Sequence, residues 1–286
     1  MTKLDNRYSE EINIVAKRAG FVEYLWNNPR RKRELVEELD YSRSTVNRAV
    51  RELKGAGFVR DKGNRHVTTL TGKYAAERYH AYIQESTDII SAREILSPLD
   101  NTLLSSEFLF DAETALLAGP APKQPVEYLI EVAENANTIS AFLPSLSDKR
   151  ELELLLGLCS QRGVQLGLNF TSESLEEIVD RYPELIRGLC DNEQCTVQQG
   201  PTPDFSLYII EAEEEASVLI IVYDEMQSAY GILKTSTATA VKEGKALLQS
   251  FSAGLTDASE EIQQETVELS SSPVEWNSLV GTTHGP

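Results

Sequence analysis

Four apolar residues, Val46, Ala49, Val50 and Leu53, recur at i, i+3, i+4 and i+7 within DYSRSTVNRAVRELKGAGFV, residues 40–59. That spacing lines them along one face of a helix. Ser42 or Ser44 can cap its start, and Gly57 stands where a glycine favours the end of a helix. Just upstream, RRKRELVEEL places Leu35, Val36 and Leu39 on one face before Asp40, Tyr41 and Ser42 break the pattern. Two short amphipathic helices joined by a tight turn form a helix-turn-helix. A preceding helix is expected over residues 10–27, where Ile12, Val15, Ala16, Ala19, Val22 and Leu25 keep helical spacing and Pro29 ends the run.

The polar face of the second helix is unusual for this chain. It carries Arg43, Ser44, Thr45, Asn47, Arg48 and Arg51. In a major groove, Arg pairs with guanine and Asn with adenine, and the first turn of such a helix supplies those contacts. Lys54 and the Arg30–Arg33 cluster suit phosphates, which position a protein without specifying sequence. Val59-Arg60-Asp61 and His66-Val67-Thr68 read as short strands, with Lys62, Gly63, Asn64 and Arg65 forming the turn between them. Lys62, Asn64 and Arg65 make the tip of this hairpin basic and polar. Thr71 is expected to cap a helix over 72–95, whose Tyr74, Ala75, Tyr79, Tyr82, Ile83 and Ile89 would form a dimer surface.

Charge divides the chain. Residues 1–85 hold 17 Lys and Arg against 12 Asp and Glu, whereas residues 86–286 hold 10 against 33, which gives the formal charge of -18. A basic head on an acidic body fits a nucleic-acid-binding domain attached to a domain with another task. The excess of carboxylates also fits adaptation to a salty, halophilic cytoplasm. Three cysteines, Cys159, Cys190 and Cys195, are too few and too scattered for a disulfide framework or a four-ligand metal site. The first twenty residues are polar, so no secretory signal is expected, and the strongest apolar run, Val218–Tyr223, is strand-sized. A cytoplasmic protein with no membrane partner is therefore expected.

Beyond a proline-rich connector at 96–125, a helix is expected at 126–135. Strand, helix and strand follow at 138–144, 149–163 and 164–171, the two strands being parallel. Residues 172–190 read as a helix interrupted near Pro183, and 195–200, 205–212, 216–225 and 228–234 as four more strands before a closing helix at 236–255. The fold class is thus an α+β winged helix-turn-helix head followed by an α/β, sensor-like domain with a mixed sheet. The domains divide as 1–95, 96–255, and an acidic, disordered tail at 256–286. The glutamates of EAEEEAS, 211–217, read as a solvated hairpin loop.

The body has no histidine, the chain's three being His66, His80 and His284, and no nucleophile elbow, P-loop or H-E-x-x-H pattern occurs. No catalytic residue, cofactor or metal is assigned. If the body binds a small molecule, the carboxyl ends of its parallel strands are the place, which points to Phe142, Pro144, Phe170 and Thr171.

Residues 10–80 resemble the archaeal or bacterial winged helix-turn-helix domains of the ArsR/MarR kind. The matching residues are Glu34-Leu35, Leu39, Ser44-Thr45-Val46, Arg48, Val50, Leu53, Gly57-Phe58-Val59 and Leu70-Thr71-Gly72. The order of elements in the body resembles the sensor half of TrmB-type regulators, which is similar to phospholipase D. That enzyme family needs an H-x-K motif, and this body cannot supply its histidine. The body is also similar to archaeal regulators related to the methanogenesis regulator of the Fil type, through the segments GPTPDFSLYIIE and SVLIIVYDE followed by AYGIL. The resemblance implies a transcription regulator, dimeric, binding double-stranded operator DNA, with a middle domain that senses an unidentified small molecule or protein. Two other readings stay open: a phospholipase D-like phosphoester enzyme, and a winged-helix module that binds protein.

Overall fold

The computed structural model describes residues 6–99, 103–118, 122–146, 148–259 and 262. The chain divides into two compact units, Met1–Thr87 and Asp88–Pro286.

The head begins with α1 (Asn6–Asn27), α2 (Lys32–Glu38) and α3 (Arg43–Gly55), continues through β1 (Val59–Lys62) and β2 (Arg65–Thr68), and ends in α4 (Leu70–Ser91). The expected stripe is its core: Val46, Ala49, Val50 and Leu53 pack with Val22, Leu25, Leu35 and Phe58. Ser42 is the N-cap of α3, its hydroxyl accepting from the Thr45 amide at 3.1 Å. The other end of α3 is a Schellman motif. The Phe58 amide donates to the Leu53 carbonyl at 2.9 Å and Gly57 to Lys54 at 3.1 Å, with Gly57 at φ +75°. Strands β1 and β2 pair antiparallel from Val59↔Thr68 to Lys62↔Arg65. Gly63, at φ +64°, makes the tight turn. Arg30 pairs with His66 through two backbone hydrogen bonds of 3.1 and 2.7 Å, a one-residue bridge that ties the loop before α2 to the edge of the hairpin.

The cap of α4 differs from expectation. Thr69, not Thr71, accepts from the Gly72 amide at 3.1 Å, and its hydroxyl donates to the Gly57 carbonyl at 2.7 Å. Helix α4 therefore starts at Leu70, fastened to the end of α3. Gly72 is required there, because an added Cβ would sit within 2.9 and 3.0 Å of the Phe58 carbonyl carbon and Cα.

The body opens with a 3-10 turn (Ser106–Phe108) and β3 (Glu113–Leu116), then α5 (Pro125–Val132), β4 (Thr138–Leu143), α6 (Lys149–Arg162) and β5 (Gln165–Phe170). Helices α7 (Ser172–Arg181) and α8 (Pro183–Cys190) follow, with Pro183 at the first position of α8 and so the cause of the break. Strands β6 (Cys195–Gln199), β7 (Phe205–Glu211), β8 (Ala216–Tyr223) and β9 (Ala229–Thr235), helix α9 (Ala238–Phe251) and β10 (Thr256–Asp257) complete it. The eight strands form one mixed sheet in the order β10-β6-β5-β4-β7-β8-β9-β3. β4, β5 and β6 run parallel, and the rest pair antiparallel.

Both faces of the sheet are covered. Along β8, Leu219, Ile221 and Tyr223 face a core completed by α6, α7 and α8, while Val218, Ile220 and Val222 face one completed by α9 and Phe108. This is the period-two alternation of a strand buried on both sides. The turn after β7 is the expected glutamate hairpin, closed by the Ala212 amide on the Glu215 carbonyl at 2.8 Å. Two edge strands extend the expected sheet. β3 lies within the connector, and β10 lies where the tail was expected to begin. Ala258 and Ile262 are buried beside β10, so the body continues past residue 255. Residues 260, 261 and 263–286, the rest of the expected disordered tail, fall outside the described residues. No helix among the described residues is long and apolar enough to cross a membrane.

Candidate nucleic-acid interface

The capping of α3 by Ser42 fixes where its polar face points. Arg43, Ser44, Asn47, Arg48 and Arg51 are exposed along it, as are Lys62, Asn64 and Arg65 at the hairpin tip, and Thr45 is half-buried. Arg43 and Asn47 share a cleft of about 390 Å³ with Lys32, Arg33, Val36 and Glu37 of α2. The structure thus joins two groups that the sequence presents separately, the basic start of α2 and the start of α3. Arg31 extends this surface to the hairpin. With the Asn64 amide oxygen turned toward it, Arg31 donates through Nη2 at 2.9 Å and Nε at 3.2 Å.

Several candidate side chains already have partners. The Ser42 hydroxyl lies 2.8 Å from that of Ser44 and 2.9 Å from that of Thr45, so these hydroxyls form a local capping cluster. Arg48 Nε donates to Glu52 Oε1 at 2.7 Å, and Glu52 Oε2 also accepts from Arg18 Nε of α1 at 3.0 Å. These two arginines, the Arg48 hydrogen bond foremost, hold the Glu52 carboxyl below its ordinary range. Lys54 Nζ lies 2.5 Å from Asp61 Oδ2, and His66 Nδ1 lies 2.8 Å from Asp61 Oδ1. Asp61, in the first strand of the hairpin, is likewise pulled down, mainly by Lys54. Arg30 pairs with Glu38 and Arg33 with Glu37, each at 2.9 Å.

The Arg30–Arg33 cluster and Lys54, assigned to phosphates on sequence alone, are therefore largely spent within the head. Arg43, Arg51 and Lys62 are exposed and form no ion pair with another described residue. The spacing of Arg48 and Glu52 in the sequence signals their contact. The Asp61 clamp depends on hairpin register and has no such signal.

In the body, Phe142 and Phe170 have no exposed surface. Phe142 meets Phe251 edge-on, with centroids 5.1 Å apart, in the core under α9, and Phe170 belongs to the opposite core. Both rings are packing residues in this conformation. Thr171 caps α7 by accepting from the Ser174 amide at 3.0 Å, and Pro144 is half-buried just past β4. Among the described residues no group of three or more His, Cys, Asp or Glu is placed to hold a metal ion.

Three helices, a hairpin packed against the last turn of α3, and a basic exposed face on α3 define a winged helix-turn-helix head, here carried on an α/β body. Residues 9–88 match the family model of the HVO_A0261 N-terminal domain. Residues 122–253 match that of the Methanogenesis regulatory protein FilR1, middle domain, so the body is similar to a domain of a regulatory protein. No curated protein sequence matches the chain. Among solved structures, TrmBL2, described as an archaeal chromatin protein with a novel mode of DNA binding, aligns over 86% of this chain and 98% of its own at 12% identity and TM-score 0.39. NucT from Helicobacter pylori aligns over 51% of this chain and 99% of its own at 13% identity and TM-score 0.40.

Proposed function

We propose that the chain is a DNA-binding transcription regulator, without enzymatic activity, that places α3 in the major groove and the β1–β2 hairpin against the adjoining backbone. The observation that carries this reading is the set of exposed cations that form no ion pair with another described residue, Arg43 and Arg51 on α3 and Lys62 at the hairpin tip. The family match of the body to a regulatory protein supports it. Asn47 and Arg43, in the first turns of α3, read base edges, and Arg51, Lys62 and Arg65 hold phosphates. Arg48 joins them once it leaves Glu52.

The working form is a homodimer joined through α4. Tyr74, Tyr82 and Ile83 are 54%, 62% and 42% exposed there, and an apolar groove of about 750 Å³ between α1 and α4 includes Ile12, Tyr79 and Tyr82. Paired heads would meet half-sites about 34 Å apart, one turn of DNA. The body senses an effector and shifts the spacing of the heads by binding one arrangement better than the other. The acidic composition suits a halophilic cytoplasm, and unfolding in low salt with recovery in molar KCl is the expected behaviour; equal stability in both removes that part.

A gel shift on the promoter of the protein's own gene tests the main reading. Asn47→Ala or Arg43→Ala should lose preference for the promoter over unrelated duplex, whereas Lys62→Ala should weaken both alike. Unchanged binding by all three variants refutes the assignment.

A further inference from the structure

Parallel strands β4 and β5 each lead into a helix, so the starts of α6 and α7 are brought together at the carboxyl edge of the sheet. Between them is a crevice of about 90 Å³. That is several times the roughly 10–15 Å³ a single water needs, and it has room for a small organic molecule.

Ser174, in the first turn of α7, lines the crevice. It is only 5% exposed, and its hydroxyl has no hydrogen-bond partner among the described residues. A buried hydroxyl left unpaired is disfavoured, and it marks a place where something else can bond. Four charged side chains also line the space: Lys149 and Arg181, and Asp148 and Glu177. They sum to zero. A purely anionic molecule would meet two carboxylates, and a purely cationic one an ammonium and a guanidinium. Two helix starts add partial positive charge, which favours a carboxylate on the side of Ser174. Tyr182 supplies an apolar wall.

We propose that this crevice is the effector site of the body, and that it takes a small zwitterion with one carboxylate and one ammonium, of the size of a simple α-amino acid. The carboxylate accepts from the Ser174 hydroxyl and from Lys149 and Arg181; the ammonium donates to Asp148 and Glu177. The inference rests on the reading of the body as a sensing domain.

Calorimetric titration of the full chain with glycine and with L-alanine is the test, with acetate and methylamine as single-charge controls. Saturable binding of glycine or alanine is expected, at least tenfold tighter than either control. Ser174→Ala and Arg181→Gln should each weaken it tenfold; the second change is at an exposed position and keeps the test valid if the first fails to fold. No saturable binding of either amino acid, equal binding of acetate, or undiminished binding in both variants overturns the site. The same preparation is assayed for gel shift. A chain that shifts its promoter but binds neither amino acid loses the effector site and keeps the DNA-binding reading. A chain that binds glycine but shifts no duplex does the opposite.

Discussion

Glu52 ties two arginines to the middle of α3, and replacing it with glutamine should lower stability while raising DNA affinity. Its contact with Arg18 joins α1 to α3 at 3.0 Å, with side-chain exposures of only 16% and 25%. A hydrogen bond of this charge-assisted kind contributes about 1.5–3 kcal/mol, of which glutamine keeps a part because its carbonyl still accepts. The Arg48 contact spans one helix turn, and Arg48 is 68% exposed. Such exposed pairs contribute about 0.3–0.5 kcal/mol. Glu52→Gln should therefore cost about 1–2 kcal/mol. In a head of this size each kcal/mol lowers the midpoint by about 4–8 °C, which scanning calorimetry resolves. The effect on DNA has the opposite sign. A negative charge leaves the α3 face and Arg48 is released, so one further cation can reach a phosphate. The plot of log K against log salt, measured by fluorescence anisotropy, should steepen by about 0.9. A variant that loses stability but keeps the wild-type slope would refute the view that Glu52 restrains a DNA-binding arginine. One that loses no stability would refute the α1–α3 tie.

Gly72→Ala should destabilise the head, because overpacking against the Phe58 backbone costs about 1–3 kcal/mol and exceeds the helix propensity gained; urea denaturation measures it. The Asp61 carboxyl is held low by Lys54 and then His66, so its contribution to the hairpin is complete above the unfolded carboxyl's pKa. It disappears as pH falls through the lower folded value, and Asp61→Asn should flatten the acid limb of the stability curve. Burial pushes the Cys190 and Cys195 thiols up to about 11 and about 12. At neutral pH both should react with iodoacetamide far more slowly in the folded chain than in urea, and equal rates by mass spectrometry would contradict their packing.

Much of the head is legible in the sequence because its signals are local. The stripe from Val46 to Leu53, the Ser42 cap and the glycines at 57 and 63 each act within a few residues, and the structure uses them as spacing suggests. Long-range facts are not legible. The Thr69 cap is chosen over Thr71 because its hydroxyl also reaches Gly57, twelve residues away in sequence. Asp61 captures Lys54 and His66 only once the hairpin register is set. In the body, the sequence identifies β4 and β5 as strands but cannot show that both of their faces are buried, so Phe142 and Phe170 look available from sequence and are core in the fold. Edge strands β3 and β10, four and two residues long, are too short to carry a pattern. The crevice beside Ser174 needs two helix starts brought together by parallel pairing, which no local signal encodes.

Hydrogen exchange of the full chain with and without its promoter duplex tests the central claim most directly. Slower exchange is predicted in peptides covering α3 and the β1–β2 hairpin, with a weaker effect from unrelated duplex at the same salt. Protection confined to peptides of the body, or absent from both head segments while the complex forms, would contradict it.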